Sequence, residues 1–254
     1  MKYYFVSDVH LGLSTHRKRE KVEELFESWL KMVESELLLH DKQQRALFLL
    51  GDIFDFWFEY KYAVPKGFVA ILAQLKKMCS SGIDIYFLKG NHDCWTQGYM
   101  EELGLKVVED SYMEVVLADK KFFLSHGDEI FSHKNRTLRT MYKLFNSKLA
   151  YRLFSAIVPV DIALGFGNGW SNKSRNSKYV THVFQSEQEP FVKYIRENIE
   201  KHKDIDYFIL GHLHSRIIYP INEKTTLSVL GHWIDGDIYY GIFDDLGYRL
   251  EKFN

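Results

Sequence analysis

Several residue types that mark particular protein classes are scarce in this chain of 254 residues. Its two cysteines, Cys79 and Cys94, are too few for a disulfide framework and indicate a reducing compartment. No apolar run approaches the roughly 20 residues that span a bilayer. The chain passes from Met1 directly into a strand pattern, so we expect no signal peptide. These absences predict a folded protein that is either soluble or peripheral to a membrane.

A large excess of charge is also missing, although charge is uneven along the chain. The formal net charge of −1 argues against a nucleic-acid partner, because general nucleic-acid binders are usually clearly basic. Residues 131–180 nevertheless contain nine Lys and Arg residues against one acid, Asp161. This excess predicts either a solvated helix face or a surface that meets an anionic substrate or membrane.

The patterns that are present are those of an α/β protein. Apolar runs of strand length lie at residues 3–7, 46–50, 83–88, 122–125 and 207–210. Helical patterns lie at 17–39, 67–79 and 191–202, and later strand patterns lie at 216–219, 226–230, 238–243 and 248–253. This order predicts a layered α/β/β/α architecture.

Residues 131–180 interrupt the alternation and predict a helical insertion, or lid, within one domain that covers residues 1–254. Apolar side chains recur near 3.6-residue spacing over 133–155, which predicts one amphipathic helix. Pro159 and the glycines at 165, 167 and 169 then break the pattern before a basic run at 171–178.

Each of the first five apolar runs is followed by side chains of the types that bind metal ions in proteins. The segments are Asp8-Val9-His10, Gly51-Asp52, Gly90-Asn91-His92-Asp93, His126-Gly127-Asp128 and Gly211-His212-Leu213-His214. Open α/β sheets bind ligands just beyond their strand ends, so we expect these segments to converge. Two polar residues that are two positions apart point to the same side of an extended strand, as the first and last segments require.

The donor set contains imidazole, carboxylate and amide groups but no thiolate, which suits Mn, Fe, Zn or similar divalent ions. It is too large for one tetrahedral zinc ion, so we predict two ions that share a bridging carboxylate. A metal-dependent hydrolase is the function that this pattern indicates. His92 is predicted to stabilise the transition state or to protonate the leaving group, and Asp93 to orient it. For Asp93 a structural turn or cap is the alternative.

The order D-x-H, GD, GNHD, H and GHLH resembles that of the calcineurin-like metallophosphoesterase superfamily over nearly the whole chain. The resemblance implies a four-layer α/β/β/α sandwich with two metal ions. One ion would be bound by Asp8, His10, Asp52 and His214. The other would be bound by Asp52, Asn91, His126 and His212, so that Asp52 bridges the pair.

Residues 51–58, GDIFDFWF, resemble the G-D-[LI]-F-[DE]-x-W run of the bacterial UDP-2,3-diacylglucosamine pyrophosphohydrolases of lipid A biosynthesis. The basic insertion, the polar run at 171–178 and the LGHW sequence at 230–233 add to this resemblance. It implies hydrolysis of a diacylated UDP-glucosamine to UMP and 2,3-diacylglucosamine 1-phosphate. Mn²⁺ would be the usual metal ion. The protein would be peripheral, on the cytoplasmic face of the inner membrane.

The insertion has the composition that a two-tailed anionic lipid requires. Apolar candidates for an acyl groove are Phe131, Leu138, Met141, Phe145, Leu149, Phe154, Ile157 and Val158. Polar candidates for the substrate are Ser171, Asn172, Arg175 and Lys178 in the insertion, with Asn91, His92 and His212 at the metal centre. A basic amphipathic helix also suits an anionic membrane surface. The alternative is a lid packed on the core with its basic residues solvated.

One position departs from the lipid A branch. Its best-known members have Arg after the motif Asn, whereas this chain has His92, as in the wider superfamily. Two interpretations stay open: a divergent subgroup with the same substrate, which the other motifs favour, or a relative with another substrate. A nuclease or cyclic-nucleotide phosphodiesterase is the alternative enzyme, and a non-catalytic scaffold is the alternative of another class.

The remaining aromatic and histidine residues give weaker expectations. Trp57 and Tyr60 either stack on the base or sugar of a substrate or are buried. His232 ends a late strand and is a further candidate for lining the active site. We expect five histidines in helical or loop context to lie at the surface: His16, His40, His133, His182 and His202.

Overall fold

The structure is a computed structural model that describes residues 1–12, 16–132, 139–140, 143–144, 147–163, 165, 183–234 and 238–253. Its strands are β1 Lys2–Val6, β2 Arg45–Leu50, β3 Asp84–Leu88, β4 Lys106–Val108, β5 Tyr112–Leu117, β6 Lys120–Ser125, β7 Tyr207–Leu210, β8 Arg216–Pro220, β9 Thr226–Leu230, β10 Tyr239–Asp244 and β11 Gly247–Lys252. Its helices are α1 His16–Leu37, α2 Val69–Ser80, α3 Tyr99–Glu102, α4 Asp128–Ser132, α5 Lys148–Ile157 and α6 Pro190–Glu197.

The strands form two sheets. A six-stranded sheet has the order β11-β10-β1-β2-β3-β4, and a five-stranded sheet has the order β5-β6-β7-β9-β8. β1, β2 and β3 are mutually parallel, and so are β6, β7 and β9. Parallel neighbours end at the same edge of a sheet, so the residues that follow β1, β2 and β3 are brought together, as are those that follow β6 and β7.

The two sheets pack face to face through an aromatic core. Phe5 of the first sheet stacks on its neighbour Phe48 at 5.1 Å and on Phe122 of the second sheet at 5.6 Å, measured between ring centroids. The outer face of the first sheet is covered by α1 and α2, and that of the second by α6. The predicted α/β/β/α sandwich is therefore confirmed.

The helix α1, predicted from the pattern at 17–39, buries one apolar face. Phe26, Trp29 and Val33 are completely buried, and the Trp29 ring packs edge-on against Trp233 at 5.5 Å. Burying one such side chain stabilises the fold by about 1.5–3 kcal/mol. None of the helices in the described part of the chain is long and apolar enough to cross a bilayer.

Two strands are absent from the sequence-based prediction, and one helix ends five residues earlier than predicted. β4 and β5 were not predicted, because β4 has three residues and β5 exposes Glu114 and Val116 instead of forming an apolar run. The helix predicted over 191–202 ends at Glu197, where the Asn198 side chain donates a hydrogen bond to the Tyr194 carbonyl.

The prediction of one continuous helix over 133–155 is wrong at Ser147. This residue has an extended backbone (φ −82°, ψ 115°), and its Oγ accepts a hydrogen bond from the Ala150 N–H at 3.3 Å. Serine favours such N-cap positions because its hydroxyl satisfies an N–H that has no helical partner. A new helix, α5, therefore begins at Lys148. Residues 133–138, 141–142 and 145–146 of the predicted helix lie outside the described residues.

Candidate metal centre

The five polar segments follow the ends of β1, β2, β3, β6 and β7, and backbone hydrogen bonds join them. The Asp8 N–H donates to the Gly51 carbonyl at 3.1 Å, and the Gly211 N–H donates to the His126 carbonyl at 3.0 Å. A third bond links the two sheets, because the His212 N–H donates to Asp8 Oδ2 at 3.0 Å. The segments are thus held side by side at one edge of the sandwich.

The backbone of this region adopts an unusual conformation. Five of the nine described non-glycine residues with positive φ are predicted ligands: Asp8, His10, Asp52, His212 and His214. Each such left-handed residue costs on the order of 1 kcal/mol or more, and residues of this kind cluster at functional sites. The strain indicates that these side chains are aimed at a common point at some cost in stability.

Two glycines permit the close approach of the β2 and β3 segments. A Cβ atom on Gly90 would lie 2.2 Å from Asp52 Oδ1, and one on Gly51 would lie 2.7 Å from the Gly90 backbone. Neither position can accept a side chain without moving the Asp52 carboxylate or its neighbouring segment.

The first ligand group consists of Asp8, His10 and His214. The two imidazole Nε2 atoms lie 3.0 Å apart, and Asp8 Oδ1 lies 3.3 Å from His214 Nε2 and 3.9 Å from His10 Nε2. Asp8 Oδ1 is buried and has no hydrogen-bond partner in the described part of the chain. A buried carboxylate oxygen of this kind is costly unless a cation satisfies it.

The second ligand group surrounds His126 Nε2. Asp52 Oδ2, Asn91 Oδ1 and His212 Nδ1 each lie 3.3 Å from that nitrogen. His126 Nδ1–H donates to the Leu50 carbonyl at 3.0 Å, which fixes the tautomer and leaves the Nε2 lone pair for a metal ion.

The two carboxylates make the site electronegative. Burial opposes ionisation of Asp8, but the nearby His214 imidazole and the charge of His126 lower its pKa to about 2. Burial also opposes ionisation of Asp52, whose pKa the His126 charge nevertheless holds well below its ordinary value. Burial likewise opposes protonation of His126, yet Asp52 raises its pKa well above the ordinary value. Both carboxylates therefore require a nearby positive charge.

Two of the other imidazoles are held neutral, which is the form that binds metal ions. Burial, followed by the proximity of His214, lowers the pKa of His10 well below its ordinary value. Burial and the neighbouring His126 lower the pKa of His212 to about 3. The donor atoms of Asp8, His10 and His214 lie within 4.8 Å of one another, as do those of Asp8, Asp52 and His126, and this arrangement fits two divalent metal ions.

His92 lies beside the first ligand group, with its ring centroid 5.1 Å from that of His10. Its Nδ1–H donates to the Asp55 carbonyl at 2.7 Å, and its backbone N–H donates to Asp52 Oδ1 at 2.8 Å. These bonds fix the ring orientation and leave Nε2 as the atom that can give or take a proton.

Asp93 is completely buried, and its carboxylate is surrounded by backbone donors. Oδ1 accepts from the N–H groups of Gly90 at 2.8 Å and Asp52 at 3.1 Å. Oδ2 accepts from those of Ile53 at 2.8 Å and Phe54 at 3.3 Å. The carboxylate therefore ties the β3 segment to the β2 segment, and we propose a positioning role for it in place of direct orientation of His92.

Two residues beside the site were not assigned roles from the sequence. Asp55 Oδ1 lies 3.3 Å from His10 Nδ1, so Asp55 is placed to orient His10 as well as His92. Its position three residues after Asp52 was the available signal. His232, which the sequence offers only as a candidate for lining the active site, has its ring centroid 5.3 Å from that of His214.

Other candidates lie away from the ligands. Trp57 is buried, and its Nε1–H donates to Glu59. The surface prediction for His202 is wrong: the ring is 3% exposed and contacts Glu114, Phe123 and Phe208. The predicted substrate residues Ser171, Asn172, Arg175 and Lys178 lie outside the described residues, as do His133 and His182.

The fold and the ligand pattern are those of a metallophosphoesterase. A family model described as calcineurin-like phosphoesterase matches residues 1–216. The chain belongs to the calcineurin-like phosphoesterase family and is a metal-dependent hydrolase. The sequence-based predictions of this family and of this class of enzyme are confirmed.

Three relatives extend over nearly the whole chain. The UDP-2,3-diacylglucosamine hydrolase of Porphyromonas gingivalis is 34% identical and aligns with 99% of this chain and 97% of its own. Proteins with the same name from Histophilus somni and Haemophilus influenzae are 24% and 25% identical. They align with 91% of this chain and with 92% and 90% of their own lengths.

Proposed function

We propose that this protein hydrolyses the pyrophosphate bond of UDP-2,3-diacylglucosamine, releasing UMP and 2,3-diacylglucosamine 1-phosphate in lipid A biosynthesis. The observation that carries the proposal is the 34% identity, over 99% of the chain, to a relative named for this substrate. The ligand groups at the strand ends support it, because they supply the metal centre that such a hydrolysis needs.

We propose two Mn²⁺ ions, with Fe and Zn as compatible alternatives for this donor set. Asp8, His10 and His214 would bind one ion, and Asn91, His126 and His212 the other, with Asp52 between them. Bound there, the ions would neutralise phosphoryl charge and activate water near neutral pH. Bridging by Asp52 is supported by the grouping of its carboxylate with Asp8 and His126.

The residues of the chain itself would bind and orient the phosphoryl group. Asn91 is exposed, and His92 presents Nε2 because its Nδ1–H is engaged by the Asp55 carbonyl. We propose that protonated His92 donates from Nε2 to the leaving oxygen or hydrogen-bonds a phosphoryl oxygen. His212 would contact the substrate from the opposite sheet.

The described part of the insertion is fastened to the metal-bearing domain, which supports one domain over 1–254 with a lid at 131–180. The Tyr60 hydroxyl donates to the Val158 carbonyl at 2.7 Å, and the Tyr151 hydroxyl donates to the Glu59 carbonyl. Phe154 packs on Trp95 at 5.3 Å between ring centroids. Phe154, expected in an acyl groove, therefore faces the core of the domain.

The opposite face of α5 is apolar and exposed. Leu149, Leu153 and Ile157, here called the apolar row, are 68%, 55% and 75% exposed. Their four-residue spacing places them on one side of the helix, and the exposed Arg152 lies next to them in sequence. We propose that this row meets acyl chains at the anionic cytoplasmic surface of the inner membrane, where the protein would be peripheral.

The test is release of UMP from UDP-2,3-diacylglucosamine by the Mn²⁺-supplemented protein, with bis-p-nitrophenyl phosphate and single-stranded DNA in parallel. Asp52→Asn should abolish UMP release. Asp119→Asn is the matched control, because Asp119 shares a positive φ (67°) with Asp52 but lies exposed in the β5–β6 turn. It should retain activity.

Each substrate separates one alternative. Hydrolysis of the diester or of DNA without UMP release from the lipid would identify another phosphodiesterase or a nuclease of the family. UMP release that survives Asp52→Asn would contradict the proposed metal centre.

A further inference from the structure

We propose that His232, Arg216 and Tyr239 form a phosphate subsite beside the first ligand group, which binds the phosphate of the nucleotide half of the substrate. The inference rests on the proposed function for the identity of that phosphate. These three residues are here called the β8–β10 subsite. Arg216 lies in β8, His232 in the segment after β9, and Tyr239 in β10.

His232 connects the subsite to the metal centre. Its ring centroid lies 5.3 Å from that of the proposed ligand His214, with 40° between the planes. Its Nδ1 accepts a hydrogen bond from the Ile234 N–H at 3.1 Å, so the proton of the ring is on Nε2. His232 is therefore a hydrogen-bond donor at Nε2, which suits an anionic oxygen.

Arg216 supplies a cation on the strand that pairs with β9, the strand that leads to His232. β8 pairs antiparallel with β9, and Arg216 lies opposite Leu230. Leu230 is the residue two positions before His232. The guanidinium Cζ is 4.0 Å from the centroid of the Tyr239 ring. A Cβ on Gly231 would lie 2.7 Å from Arg216 Cγ, so the arginine stem lies directly across that glycine. Arg216 is exposed, and stacking on Tyr239 together with the glycine contact restricts the positions that its side chain can take.

Tyr239 is itself anchored to the His232 segment, because the Trp233 indole N–H donates to its carbonyl at 3.1 Å. A guanidinium stacked on an aromatic ring and an imidazole N–H on the adjoining segment are both suited to phosphate, for which charge-assisted hydrogen bonds are the strongest contacts.

The location of the subsite selects the nucleotide half. It adjoins His214, in the first ligand group. Phe131, at the start of the insertion, instead packs on His212 of the second group, with 5.3 Å between ring centroids. If the insertion receives the acyl chains, the lipid half lies towards the second group, and the nucleotide phosphate lies towards His232.

The experiment is titration of UMP and of inorganic phosphate into the Mn²⁺-loaded full chain by calorimetry, with metal content measured for each variant. His232→Ala and Arg216→Ala should each weaken UMP binding about tenfold, as expected for loss of one charge-assisted hydrogen bond. His232→Gln should restore much of the affinity, because its amide replaces the N–H donor. Lys224→Ala removes an exposed cation at the far end of the same β8–β9 hairpin and should leave UMP binding and lipid hydrolysis unchanged.

Unchanged UMP affinity in both alanine variants with full metal content would overturn the subsite. So would a loss of UMP affinity without any loss of inorganic phosphate affinity, because the contact would then be with the nucleoside. Wild-type protein that binds UMP through these residues but releases none from the lipid would reject the proposed function while keeping the subsite.

Discussion

Replacing Asp93 by Asn should weaken both the fold and metal binding, because this carboxylate accepts four backbone hydrogen bonds. The Asn amide keeps one acceptor oxygen, which serves two of the four backbone N–H groups. Its NH₂ group faces the other two N–H groups, which are left without an acceptor. A buried donor without a partner costs about 1–3 kcal/mol. Two such donors therefore predict a loss of roughly 2–6 kcal/mol in the free energy of unfolding.

The same bonds join the segments that carry Asp52 and Asn91, so the ligands of the second group should lose their alignment. Changes to groups that orient metal ligands typically cost 10–100-fold in metal affinity, and we expect a loss of about this size. Urea unfolding of metal-free protein measures the first effect, and calorimetric titration with Mn²⁺ measures the second.

Asp206→Asn is the control for loss of a buried carboxylate elsewhere. Asp206 is 6% exposed, and its Oδ2 accepts from the Lys121 N–H at 2.9 Å at the start of β7, away from the strand ends that carry the ligands. It should lower stability without changing Mn²⁺ affinity. An Asp93→Asn protein that lost activity but kept wild-type stability and Mn²⁺ affinity would refute the positioning role and favour direct action on His92.

Three further predictions concern the core, the helices and the membrane. Phe122→Ala should lower the free energy of unfolding by about 3–5 kcal/mol in urea, because this completely buried ring lies between the sheets; a loss below 1 kcal/mol would contradict that packing. Burial opposes ionisation of Glu34, but its hydrogen bond with Lys77 lowers its pKa, so its stabilising effect should be present above pH 4.5 and lost as pH falls further. Glu34→Gln should flatten the acid limb of a stability-against-pH curve, and an unchanged limb would count against this ion pair. Replacing the apolar row of α5 by serines should abolish sedimentation with anionic vesicles, whereas retained sedimentation would assign membrane binding to another surface.

Much of the fold could be predicted because its signals are local. The runs at 207–210 and 226–230 match β7 and β9 residue for residue. β5 was missed because an edge strand with one face in solvent has no continuous apolar run. The buried position of His202 was missed for the same reason, since its partner Glu114 belongs to β5, 88 residues away.

The sequence by itself determined which donor atoms are available and that each donor segment follows a strand. Both signals are local, because the apolar run and the donor residues after it are adjacent in the chain. Only the tertiary structure decided which atoms meet. Asp8 and His212 are 204 residues apart, and no local pattern reports the bond between them. The same holds for the carbonyl that fixes the His126 tautomer, the backbone donors around Asp93 and the place of His232 beside His214. The bond to Asp8 and the His126 tautomer depend on how the two sheets pack, whereas the surroundings of Asp93 and the place of His232 depend on which strands are neighbours within a sheet. Both are settled by the whole core and not by any one segment.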